Sequence, residues 1–174
     1  GGGVRTLRTA SDGRFAAYVA DERTDEQFEL WSAALASSAH FRLSHDLADA
    51  VDVGSYELAA ASARIVYSVN EASGTGLYGV PLDGSAPAPP FLTPVTGPAT
   101  RFALSADGLT LYFTAPTAPG RLDVFRAPLA GGAAQNLSSA SAGFATVAHL
   151  ALAHRARSER HAARRTQGER RQRA

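Results

Sequence analysis

Between Arg101 and Ser138 the sequence reads RFALSADGLTLYFTAPTAPGRLDVFRAPLAGGAAQNLS. Four short apolar runs are separated by turn-forming clusters at Ser105–Gly108, Pro116–Gly120 and Gly131–Gly132. Each run has the length of a strand, and none reaches that of an ordinary helix. The same pattern occurs twice upstream. The first unit has runs at Val4–Thr9, Arg14–Ala20, Phe28–Ala33 and Phe41–Ser44, and the second at Tyr56–Leu58, Arg64–Val69, Leu77–Val80 and Phe91–Thr93.

Four columns give the register of the repeat. Tyr18, Tyr67 and Tyr112 align, as do Trp31, Tyr78 and Phe125, then Leu35, Leu82 and Leu129, then Leu43, Leu92 and Leu137. Four strands in a unit of about 40–50 residues are the signature of propeller blades. The expected fold is therefore all-β: a partial β-propeller of three four-stranded antiparallel blades at about 4–44, 55–93 and 101–138, within a body spanning 1–144. Strands apolar on both faces agree with this, because an internal blade is covered on either side. In the third unit Leu109, Leu111 and Phe113 point one way, and Thr110, Tyr112 and Thr114 the other.

Charge divides the chain. Residues 1–144 hold 9 Arg against 14 Asp and Glu, whereas residues 145–174 hold 8 Arg against 2 Glu. All basic residues are Arg, and Ala, Gly and Pro are abundant, as in GC-rich coding sequence. Three readings of the tail stand open: a basic helix, a disordered segment, or an out-of-frame product that starts where the next blade is due. A tail of this charge could contact nucleic-acid phosphates or anionic lipid. It has no aromatic residue after Phe144 to stack on bases, which disfavours nucleic acid as a partner. Without cysteine the chain forms no disulfide or thiolate metal site. No apolar run approaches the length of a membrane span. A Gly-Gly-Gly start and the absence of Met read as a processed product or a fragment of a larger repeat protein.

The segments ASDGRFAAYVADERTDEQFELWSAAL, ASARIVYSVNEASGTGLYGVPLDGSAP and LSADGLTLYFTAPTAPGRLDVFRAPLAGGAAQNLS resemble TolB-type propeller repeats. The family motif has a Ser-x-Asp-Gly turn, a strand ending in Tyr, a polar loop, a strand carrying an aromatic before a Leu, and then Asp-Gly or Gly-Gly. The resemblance covers about residues 7–138 and implies a propeller. It also implies a periplasmic or extracellular location and a non-enzymatic interaction or scaffold role, with a protein or further propeller blades as partner. The alternative that it implies is the propeller portion of a prolyl-oligopeptidase-like serine peptidase lacking its catalytic domain. The second unit departs from the pattern, its Asp-Gly turn being replaced by Ala61-Ser62-Ala63.

The sequence implies no catalytic set, cofactor or metal. Asp12 and Asp107 precede Gly at matching turns, and turn chemistry accounts for them better than a ligand contact does. Asp21, Glu22, Asp25 and Glu26 could offer oxygens to a hard cation, but their spacing is not that of a calcium loop, so a solvated loop is expected. His40 and His45 flank a strand without a third ligand and read as surface residues. His149, His154 and His161 lie in the tail, in no carboxylate–His motif. Trp31 reads as a packing residue from its column, ahead of a ligand platform. Three blades leave two uncovered lateral faces, so the chain is expected to associate, as a homo-oligomer or an aggregating fragment.

Overall fold

The computed structural model describes residues 2–59, 63–71, 74–86 and 101–138. These residues contain eleven strands and no helix. β1 (Val4–Thr9), β2 (Phe15–Ala20), β3 (Glu29–Ala34) and β4 (His40–Arg42) form the first sheet in that order. β5 (Val53–Ala59), β6 (Arg64–Glu71) and β7 (Gly74–Pro81) form the second. β8 (Arg101–Leu104), β9 (Thr110–Ala118), β10 (Arg121–Pro128) and β11 (Gln135–Asn136) form the third. Every pairing is antiparallel between sequence neighbours. The expected fourth strand of the second unit, Phe91–Thr93, lies outside the described residues, as do Leu92 and the 145–174 tail.

The first strand-to-strand turns form as their residues dictate. Gly13 and Gly108 take φ of 69° and 67°, a conformation that side chains disfavour and Gly accepts freely. Asp12 accepts a hydrogen bond from the Arg14 amide and Asp107 one from the Leu109 amide, at 2.9 and 3.0 Å. The second unit has no Gly at this turn, and Ala63 closes it with φ of 48°. In the third sheet the expected Pro116–Gly120 turn is displaced. β9 runs on to Ala118, where Thr117 donates across the hairpin to the Asp123 carboxylate, which Arg121 also holds from its own strand. Pro116 is tolerated there because β8 pairs only as far as Thr114, so no ladder bond needs its missing N–H.

Pairing fixes the repeat register and corrects one column. Tyr18 faces Trp31 and Tyr67 faces Tyr78, but Phe125 faces Phe113. Phe113, not Tyr112, is therefore the third member of the first column; Tyr112 faces Arg126. The Leu column holds in backbone position, since the amides of Leu35, Leu82 and Leu129 donate to Arg14, Ala63 and Leu109 respectively.

Two cores lie between the sheets. The first sheet meets the second through Ala17, Val19, Phe28, Leu30 and Leu43 against Val53, Tyr56, Ile65, Tyr67 and Leu82. The second meets the third through Val66 and Leu77 against Leu111, Phe113, Ala115, Phe125 and Leu129. Burying each large side chain contributes roughly 1.5–3 kcal/mol. The middle sheet is thus covered on both faces, and its strands read as continuous apolar runs for that reason.

Candidate functional site

Strand direction puts two kinds of connection at opposite ends of the sheets. One end carries the tight turns after the first and third strands of each unit, including Asp12 and Asp107. Both carboxylates are used by their own turns; the Ser105 hydroxyl and the Leu109 amide hold Asp107 below the usual carboxylate range. The other end carries the longer connections at 21–28 and 43–52, with the 118–121 hairpin of the third sheet.

The long connections are tied to one another. Gln27 donates to the Ala48 carbonyl and the Phe28 amide donates to Asp52, both at 2.9 Å. Asp52 also pairs with Arg5, whose guanidinium lies 3.2 Å from the centroid of the Phe28 ring. Arg42 bridges the buried Glu29 and the exposed Asp46 at 3.0 and 2.7 Å, and Arg23 stands 3.5 Å from the same two carboxylates. Asp46 titrates below the ordinary carboxylate range because Arg42 hydrogen-bonds it.

The acidic loop divides rather than converging. Asp21 accepts from the Gly3 amide, which pins the start of β1 and holds the Asp21 carboxyl below its usual range. Glu22 stands 3.7 Å from His40 and hydrogen-bonds Tyr18. Asp25 and Glu26 are exposed. Among the described residues no group of three His, Asp or Glu side chains is placed to hold a metal ion. The two histidines also part company. His40 is exposed beside Trp31, with ring centroids 5.8 Å apart.

His45 corrects the surface reading. It packs in the junction between the first and second sheets, its ring centroid 4.3 Å from that of Tyr78 and 6.2 Å from that of Tyr67. Its backbone amide donates to the Tyr67 hydroxyl, and its Nδ1 lies 3.1 Å from the same oxygen. A hydroxyl that accepts from the amide is free to donate to Nδ1, which leaves Nε2–H facing Glu71 at 3.5 Å. Tyr78 donates to the same Glu71 oxygen. Burial pushes the Tyr67 hydroxyl up to about 12, and burial with the Glu71 hydrogen bond pushes Tyr78 higher still. Gly76 makes room for the Tyr78 ring: a Cβ there would stand 2.7 Å from it. These side chains form a hydrogen-bonded group that ties the 43–52 connection to the second sheet. Sequence reasoning missed it because its members come from different units.

The lateral faces of the first and third sheets differ from those inside the stack. Among the described residues six large apolar side chains are exposed: Val4, Leu7, Leu35, Leu109, Leu122 and Leu137. By backbone pairing, Val4 matches Val53, Leu7 matches Tyr56, and Leu35 matches Leu82 and Leu129. Leu122 matches Phe28 and Leu137 matches Leu43. These five keep 45–65% of their surface exposed, and every matched residue keeps at most 7%. The burial of Leu35 implied by its column is therefore corrected. That position is covered by the preceding sheet, and among the described residues the first sheet has none. Trp31 is itself 7% exposed, in keeping with its packing role. Its Nε1 and the Oε2 of Glu29, two residues away on the same strand face, are buried without a hydrogen-bond partner.

No protein-family model matches the chain, and no curated protein is similar to it in sequence. Solved structures are similar in fold. TolB from Acinetobacter baumannii matches 75% of the chain at a TM-score of 0.52 with 14% identity. A prolyl endopeptidase matches 78% at 0.59 with 11% identity, and a chain of a nidogen/laminin complex 81% at 0.51 with 10% identity. The described body is propeller-like. It spans 31%, 19% and 50% of those three chains, well short of their full lengths. Identities this low carry the fold and nothing further.

Proposed function

We propose that this chain is a non-enzymatic protein-recognition module of an exported protein, and that it binds through the end of the sheets bearing the long connections. The observation that supports this is the cross-tying of the 21–28 and 43–52 connections by Gln27, Asp52, Arg23 and Arg42. Loops held in one conformation by a sheet scaffold lose little entropy on binding, which is how rigid scaffolds recognise partners. The exposed groups at that end are mostly carboxylates, among them Asp25, Glu26, Asp46 and Asp49, so the partner surface is basic. The TolB-type repeat pattern supports the periplasmic or extracellular setting. The likeness to a prolyl endopeptidase extends to the fold alone, so a peptidase-associated role has no separate support.

The test is retention of proteins from the source cells on the immobilised chain, compared with the Asp25→Lys, Asp49→Lys double variant. Partners of the loop end are retained by the first and lost with the second, and their retention falls with added salt. Retention that survives charge reversal at the loops but fails on changing the opposite, tight-turn end overturns the reading. So does turnover of a peptide or ester substrate that a single substitution abolishes.

A further inference from the structure

Three Asp-Gly dipeptides stand in tight turns of this chain: Asp12-Gly13, Asp83-Gly84 and Asp107-Gly108. We propose that Asp12-Gly13 is a site of backbone self-modification in the folded protein, where Asp12 converts to isoaspartate while the other two are held back. The site lies at the tight-turn end and is independent of loop-end recognition. The reaction needs only water. The Gly13 amide nitrogen bonds to Cγ of the protonated Asp12 carboxyl. The amide proton and the carboxyl hydroxyl leave together as water, giving a five-membered succinimide. Water then adds to one of the two imide carbonyl carbons of residue 12. Breaking the N–Cγ bond restores Asp12. Breaking the bond from nitrogen to the main-chain carbonyl carbon leaves the chain running through Cγ, with a free α-carboxylate. Glycine favours the attack because no Cβ crowds the approaching nitrogen.

The three turns share a backbone and differ in what holds them. In each, the glycine has a positive φ, its amide donates to the carbonyl three residues back, and the Asp carboxylate accepts from the amide two residues on. Attack requires both bonds to open. At Asp107 the Ser105 hydroxyl also donates to the carboxylate and accepts from the Thr110 amide, and Gly108 is buried. At Asp83 the Ser85 hydroxyl holds the carboxylate, and Gly84 packs so closely on Phe41 that a Cβ would stand 3.1 Å from it. The two serines also hold both carboxyls below their usual range, so the protonated form that loses its hydroxyl is scarcer there. At Asp12 the place of Ser105 is taken by Ala10 and that of Ser85 by Arg14, and neither carries a hydroxyl. Gly13 is exposed, and a Cβ on it would meet nothing within 4 Å. Opening this turn breaks neither kind of brace. The extra backbone atom of isoaspartate then disturbs the Ala10–Phe15 bond that closes the β1–β2 hairpin.

The experiment incubates the full chain at neutral pH in water enriched in heavy oxygen. Each passage through the succinimide adds a labelled oxygen, whichever way the ring opens. Cleavage after arginine puts the three sites on separate peptides, 9–14, 65–101 and 102–121, which mass spectrometry reads individually. In the folded chain the label is expected to enter residue 12 at least about tenfold faster than residue 83 or 107, the worth of one hydrogen bond to a charged group. In the urea-unfolded chain the three rates converge, because each site is then only an Asp followed by Gly. Ser105→Ala, with circular dichroism matching the parent, is expected to quicken residue 107 and leave residue 12 unchanged. Equal rates in the folded chain overturn the proposal, as does faster entry at residue 83 or 107, or no label at residue 12. A preference for residue 12 that survives unfolding also overturns it, because the folded turns then play no part. So does a Ser105→Ala chain in which residue 107 stays as slow as in the parent.

Discussion

The two junctions inside the stack use the same backbone positions and different chemistry. At the paired aromatic position the middle sheet carries Tyr67 and Tyr78, whose hydroxyls are taken up by His45 and Glu71. The third sheet carries Phe113 and Phe125, stacked at 5.3 Å with planes 9° apart and no polar atom to satisfy. The first junction is also braced by Ser32, Tyr56 and the Arg5–Asp52 pair, whereas among the described residues the second is held by aliphatic and aromatic contact. One repeat geometry therefore accepts either a polar lock or a dry core. A hydroxyl at this position needs a partner from the preceding connection, and the 43–52 connection supplies one through His45. Removing the second junction should cost packing, and removing the first should cost packing and hydrogen bonds together.

The largest effect is expected from Phe113→Ala. It removes a 2%-exposed ring from the dry junction and should lower unfolding free energy by about 3–5 kcal/mol in urea titrations. A loss below about 1 kcal/mol would mean that the second junction contributes little. Exchanging chemistry between the junctions follows in size. Tyr67→Phe leaves the His45 amide without its acceptor and should cost about 1–3 kcal/mol. Phe113→Tyr buries a hydroxyl where no described residue supplies a counterpart of His45, and should cost a similar amount. If either exchange is neutral, the two junctions are interchangeable and the comparison fails.

The polar junction also carries a pH dependence that the dry one lacks. The folded state holds the Tyr67 hydroxyl at about 12, above its ordinary value of about 10. The neutral form is favoured by folding, so between these values the folded state retains a proton that the unfolded state has released. The stabilisation is complete below about pH 10 and is lost as pH rises through about 12. Tyr18 titrates in the same range, raised by burial and by Glu22. Denaturation between pH 9 and about 12 should therefore show stability falling, with a shallower fall in Tyr67→Phe. An unchanged slope in that variant would remove Tyr67 from the account.

The strands and most turns were legible because period-two apolar runs and Asp-Gly turns are local signals. Turn spacing selects Phe113, not Tyr112, for the first column. Tyr18 stands five residues after Gly13 and Phe113 five after Gly108, so counting from the turn glycine gives the right residue where matching by aromatic type does not. The exposure of Leu35 was not legible, since its column specifies a position that a neighbour covers and says nothing of whether the neighbour is there. Nor was the His45 lock, because Glu71, Tyr67 and Tyr78 meet His45 only once two units have stacked. The acidic loop has the composition of a cation site without the spacing of one, and the Gly3 amide and His40 draw its carboxylates apart.

The smallest expected effect comes from a site that touches neither junction and so calibrates both. Ala63 closes the second unit's first turn at φ of 48°, in the left-handed region where the Cβ crowds the backbone by about 1–2 kcal/mol. Ala63→Gly relieves that crowding. It also makes the unfolded chain more flexible, which offsets roughly 0.4–1 kcal/mol, so the net gain should be about 0.5–1 kcal/mol. The mirror change is Gly13→Ala, where φ is 69° and a Cβ would meet nothing within 4 Å. With no packing disturbed, its loss measures the backbone effect alone and should be about 1 kcal/mol. Opposite signs from these two substitutions, at equal urea dependence, would place the weakness of the middle hairpin in its turn backbone. A destabilised Ala63→Gly would show instead that this turn is held by side-chain packing, and the missing glycine would then explain nothing about the second unit.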